Sequence, residues 1–168
     1  MIARWPRPVD VARLGDEEAM SLEASEAERA AIAEALEVVA IDSLTADVRV
    51  RPWRGEGVRV IGTVHARLRQ ECVVTLEPVA TTVEEAFDVR LHPDVVETGA
   101  VEVDPDAPDP PEPLAGNVVD VGAIALEHFV LGIEPYPRAP GVAFEPPGDE
   151  DAEPSPFAAL AALKGSGN

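Results

Sequence analysis

The chain is poor in cysteine, with one among 168 residues, and poor in positive charge, with 13 Lys and Arg against 32 Asp and Glu. A single cysteine closes no intrachain disulfide and makes no multi-cysteine zinc site, which excludes a secreted disulfide scaffold and points to the reducing cytosol. Long apolar runs are also missing. The start, Met1-Ile2-Ala3-Arg4-Trp5-Pro6-Arg7-Pro8, has no apolar core of a signal peptide, and the most apolar stretch, residues 118–133, is broken by Asp120, Glu127 and His128. Neither export nor membrane insertion is expected, and the compartment implied is the cytoplasm.

A formal charge of −19 opposes generic binding to DNA or RNA and adsorption to anionic lipid, and makes a basic partner the more natural one. The acidity is uneven. Residues 1–48 hold 11 acids and 4 bases (−7), residues 49–90 hold 6 acids and 7 bases (+1), and residues 91–168 hold 15 acids and 2 bases (−13). The middle of the chain is therefore a different electrostatic object from its flanks.

Catalytic signatures are absent too: no G-x-S-x-G, no phosphate-cradling glycine loop, no H-E-x-x-H and no G-x-G-x-x-G. His65, His92 and His128 fall in separate elements without metal-ligand spacing and read as ordinary surface or core histidines. No catalytic residue, metal or cofactor is assigned.

An apolar content of 46% is enough for a real core. Ser25 and Glu28 form an S-x-x-E capping box, and Ile32, Leu36 and Val39 recur at helical spacing, so a helix is expected over about residues 25–40. Residues 16–18 read as a solvated linker or a helix start. From Leu44 the period becomes two. Strands are expected at 46–53, 58–69, 72–77 and 83–91, the first two joined by a turn at 54–57. Residues 101–113 are acidic and proline-dense, hence a loop or linker. A second helix is expected over about 118–131, capped by Asn117 or Asp120, with Val121, Ile124, Ala125, His128 and Leu131 along one side. A proline-rich extended path follows it, then an apolar anchor at 142–144, an acidic tail, and a short helix at 157–164.

The fold class expected is α+β: an antiparallel sheet, flat or curled toward a barrel, packed with two main helices. The organisation is an N-terminal segment (1–24), a single domain (25–145) with an acidic loop at about 100–115, and an acidic, partly flexible tail (146–168).

Within this frame the sharpest local feature is a strand face bearing Arg49, Arg51, Arg59, His65, Arg67 and Arg69. Paired as a hairpin, these side chains share one surface and can grip phosphates or acidic groups with the fork geometry of guanidinium. The alternative is neutralisation by Glu71, Glu84 and Asp88 from neighbouring strands. Cys72 alternates with apolar residues, as an inert half-buried thiol does. Glu127, in an apolar context, needs a structural partner such as an arginine of the sheet.

The order of these elements resembles a known family. An arginine-bearing strand enters Glu71-Cys72-Val73-Val74-Thr75-Leu76-Glu77-Pro78. An acidic linker follows, then Asp120-Val121-Gly122-Ala123-Ile124-Ala125-Leu126-Glu127-His128 and Pro135-Tyr136-Pro137-Arg138-Ala139-Pro140-Gly141. Over residues 40–145 this is similar to the YceD family, the large ribosomal RNA subunit accumulation proteins of bacteria, in its alphaproteobacterial form. The resemblance implies a cytoplasmic, non-enzymatic ribosome-biogenesis role, with ribosomal RNA or a basic large-subunit ribosomal protein as partner. Many members carry Cys-x-x-Cys where this chain has Cys72 and Thr75, so the pair needed for a metal or redox role is incomplete. Cys72, Asp120, Glu127 and Arg138 are taken as structural or partner-contacting. The rival readings are an acidic adaptor unrelated to ribosomes and a hydrolase using Cys72 or His128.

Overall fold

A computed structural model of the chain describes residues 3–95 and 110–144. The architecture is α+β. Three long strands, β3 (Ala40–Trp53), β4 (Gly57–Glu71) and β5 (Pro78–His92), form an antiparallel meander. Strand β2 (Glu18–Glu23) pairs antiparallel with β3 at one edge, and the two-residue β6 (Glu112–Pro113) pairs parallel with the end of β5 at the other. The edges do not meet, so the sheet is open rather than curled into a barrel.

Alternation decides the two faces. Val48, Val50, Val60, Val64, Leu68 and Val83 point into the core, where helices α1 (Glu26–Leu36) and α2 (Val121–Leu131) cover them. The row Val48, Gly62, Phe87 crosses the centre of this face. A methyl group on Gly62 would sit 2.5 Å from the Phe87 ring, so the missing side chain is what lets that ring lie across β4.

Helix α1 starts as its sequence requires: Ser25 and Glu28 form the reciprocal capping box, and the helix ends on a left-handed Glu37. Helix α2 begins later than its apolar run. Residues 118–120 instead form β7 (Val118–Asp120), which pairs antiparallel with β1 (Pro8–Asp10), and Asp120 caps the helix through the Ala123 N–H. Its inner side is Val121, Gly122, Ala125, Leu126 and Phe129, while Leu131, expected inside, is 73% exposed. The true stripe is rotated toward Phe129 because the first turn must face the N-terminal segment.

That segment is woven into the fold. Trp5 is 1% exposed in the core, β1 closes the small two-stranded sheet, and Glu18, expected in a linker or helix start, opens β2. Arg7 donates its backbone N–H to Asp120 (2.8 Å) and accepts at its carbonyl from Val121 N–H (3.1 Å). Gly122 faces the Trp5 carbonyl so closely that no side chain fits.

Residues 72–77, expected as a strand, are the connection between β4 and β5. Glu71 pairs with Pro78, which leaves six residues to reverse the chain. Cys72 N–H donates to Glu77 O and Leu76 N–H to Cys72 O, both at 2.9 Å, with Leu76 at φ +61°. Phe144, expected in an apolar anchor, is 69% exposed. Most of the expected acidic loop, the acidic tail and the terminal helix lie outside the described residues.

Candidate functional site

The face of the sheet opposite the helices carries the arginines. Cross-strand register arranges them in rows: Arg51, Arg59 and Arg90 stand opposite one another on β3, β4 and β5, and Arg49, Ile61 and Asp88 form the next row. Further along, Thr45, His65 and Glu84 form a row, then Ser43, Arg67 and Thr82, then Ala40, Arg69 and Ala80. The arginines named from sequence thus share one face but fall into two groups. Eight residues separate Arg59 from Arg67, about 26 Å at strand rise. Beside the first group lies an open trough of about 690 Å³ whose lining includes Ser21, Asp47, Arg49, Thr63, Ala86 and Asp88.

Neutralisation is partial. Asp88 forms a two-pronged ion pair with Arg59, through Nε at 2.6 Å and also through Nη2, and lies 3.9 Å from Arg90. Its carboxyl is held below the usual range, first by the Arg59 hydrogen bonds and then by the fields of Arg59, Arg90 and Arg51. One carboxylate therefore serves three guanidinium groups. At the other end Arg69 pairs with Asp42 (3.3 Å), Arg67 donates to the Ser43 hydroxyl (3.3 Å), and Glu84 approaches His65 at 3.8 Å. Of the expected neutralisers Asp88 and Glu84 take part, and Asp42, which sequence did not suggest, replaces Glu71. Among the described residues, Arg49 and Arg51 have no carboxylate within ion-pair distance.

Beyond the Arg51 row lies a feature that sequence reading missed. Trp53 stands opposite Gly57 at the end of the β3–β4 hairpin, and the His92 ring lies against Gly57. Here the Trp53 ring meets His92 edge-on (centroids 6.3 Å apart), and the Arg54 guanidinium lies 4.8 Å from the Trp53 centroid. His92 Nε2 lies 3.1 Å from the Arg54 carbonyl. Arg51 and Arg59 were legible as hairpin partners, but Arg90 joins them only through the β4–β5 register, which a misread strand at 72–77 concealed.

Cys72 sits at the opposite end, fully buried. The segment after α2 is laid over its turn: Val73 N–H donates to Pro137 O (2.9 Å), Gln70 Nε2 to Glu134 O (2.9 Å), and Ala139 N–H to Cys72 Sγ (3.3 Å). The Thr75 hydroxyl and the N–H groups of Ala139, Thr75 and Val74 pull the thiol down to about 6, against the opposing effect of burial. Thr75 thus acts on the thiol from the end of the Cys72-Val73-Val74-Thr75 turn. Arg138, in the same segment, is exposed.

Glu127 is exposed on α2, not buried, and no sheet arginine pairs with it. It faces Glu112, whose carboxyl is raised by burial first and by Glu127 second. His128, half-buried on the same helix, stacks on Phe87 (5.1 Å, 19°). Among the described residues no three His, Cys, Asp or Glu side chains cluster as a metal site, and no helix is long and apolar enough to cross a membrane.

A family model described as large ribosomal RNA subunit accumulation protein YceD matches residues 60–164 of this chain. No curated protein and no solved structure matches it.

Proposed function

The chain belongs to the YceD family, and from that premise we propose that it is a cytoplasmic, non-enzymatic ribosome-biogenesis factor whose arginine-bearing sheet face contacts large-subunit ribosomal RNA. One observation carries the contact. On a chain of net charge −19, six arginines, Arg49, Arg51, Arg59, Arg67, Arg69 and Arg90, gather on one face of the sheet while both helices occupy the other. Guanidinium groups at strand spacing suit phosphates, and the acidic flanks repel polyanions that do not fit.

A second reading rests on residues 91–168, with 15 acids and 2 bases, which suit a basic large-subunit ribosomal protein. The two differ in sign. Crosslinking and pull-down from cells, read for RNA and protein together, should lose RNA when Arg59, Arg67 and Arg69 are changed to Gln. Reversing the acids of residues 102–112 and 149–153 should leave that RNA in place. If depleting the protein leaves large-subunit RNA levels unchanged, the biogenesis role is wrong.

A further inference from the structure

We propose that the turn-proximal corner of the outer face, built from Trp53, Arg54, Arg51, Arg59 and Arg90, binds an unpaired ribonucleotide, with its phosphate on the arginine row and its base on Trp53. The proposal rests on the RNA-contacting role above and narrows it to single-stranded RNA at one end of the face.

Three observations meet there. Arg51, Arg59 and Arg90 are directly opposed across three strands, an arrangement of like charge that opposes strand pairing. Among the described residues Asp88 is the carboxylate within ion-pair distance of this row, pairing with Arg59 and Arg90, while Arg51 has none and keeps a charge that a phosphate would relieve. Next along the strands, within the reach of one nucleotide, stands the partly exposed Trp53. Its ring meets His92 at 85° and carries Arg54, a flat cation that itself offers a stacking surface. Gly57 keeps this row low: a methyl group there would sit 2.7 Å from the His92 ring and 2.6 Å from the Trp53 carbonyl oxygen.

Bases paired within a duplex have no free face for an indole, whereas an unpaired base stacks on any aromatic ring regardless of sequence. The opposite group, Arg67 and Arg69, has no aromatic neighbour in its own rows, so it separates phosphate contact from base stacking.

The test is titration of the full chain with a fluorescein-labelled, unstructured 12-nucleotide RNA, with the same RNA as a duplex, and with a polyglutamate peptide. Anisotropy gives affinity. Tryptophan emission gives location, because the other tryptophan, Trp5, is sealed in the core. Single-stranded RNA should quench Trp53, Trp53→Ala should weaken binding about tenfold, and Trp53→Phe should keep affinity within about threefold while abolishing the quench. Arg51→Gln with Arg90→Gln should lower affinity and flatten the salt dependence by about 1.4 in slope, the value for two single-strand phosphate contacts. Arg67→Gln with Arg69→Gln should lower affinity as loss of phosphate contacts does, yet leave the Trp53 quench intact at saturating RNA. Trp5 emission reports that each variant is folded. If RNA binds but Trp53→Ala binds as tightly as wild type, or if duplex or polyglutamate quenches as strongly, the corner is not a nucleotide site and only this inference falls. If neither RNA binds at all, the RNA-contacting role falls with it.

Discussion

Glu28 and Gly122 show how single residues hold the two halves of the chain together. The Glu28 carboxylate takes two prongs from Arg7 (2.8 and 3.0 Å) and the Ser25 backbone N–H (2.8 Å), which lowers it from 4.5 to about 2, with the Arg7 hydrogen bond as the largest cause. A carboxyl lowered on folding stabilises the folded state fully above its unfolded value and loses that contribution as pH falls through its folded one. Glu28→Gln should therefore cost about 1 kcal/mol near neutral pH, modest because the pair is partly solvated, and the gap should close between pH 4.5 and about 2 in denaturant melts. Gly122 predicts a reversal of sign. Glycine to alanine within a helix ordinarily stabilises by up to about 1 kcal/mol. Here the new methyl would strike the Trp5 carbonyl and the Arg7 stem, so Gly122→Ala should destabilise by about 2–3 kcal/mol and shift Trp5 emission to the red.

Among the elements, strand β4 was legible to within two residues because it alternates, and helix α1 at its start because it begins on a complete capping box. The helix ends at Leu36 rather than near 40, where a left-handed Glu37 stops it and Ala40 already opens β3. Strands β1 and β7 were not, since three-residue pairings between distant segments leave no period to read, and β2 mixes its apolar Met20 and Leu22 with acids. The 72–77 turn was misread because period two continues through it; only the pairing of Glu71 with Pro78 forces the reversal. The candidate site was half legible for the same reason: the hairpin partners Arg51 and Arg59 could be matched, whereas Arg90 and His92 required the register beyond that turn. The turn also depends on the segment laid over it. Gln70 is buried with Nε2 on Glu134 O and Oε1 accepting from the Thr81 hydroxyl (2.7 Å). Gln70→Leu would leave both partners unpaired, costing about 1–3 kcal/mol. Amide exchange at Val73 and Ala139 should accelerate more than exchange in the centre of β4.

For the molecule as a whole, the charge of −19 and the arginine face act against each other, and their distribution sets selectivity. The full chain should show no retardation of a 20-base-pair DNA duplex at physiological salt in a gel-shift assay, because the acidic flanks repel an extended polyanion along most of its length. The face needs a ligand small or flexible enough to reach the rows without meeting those flanks. A different consequence belongs to the seam between β1 and β7. Arg7 and Asp120 lie 113 positions apart, yet the first cannot be satisfied without the second. A chain synthesised at about 5–20 residues per second must hold its first strand and Trp5 without their partners for roughly 5–20 seconds. During that interval the indole destined for the core is exposed beside the machine that made it, and the fold closes only when its earliest residues find ones made more than a hundred positions later.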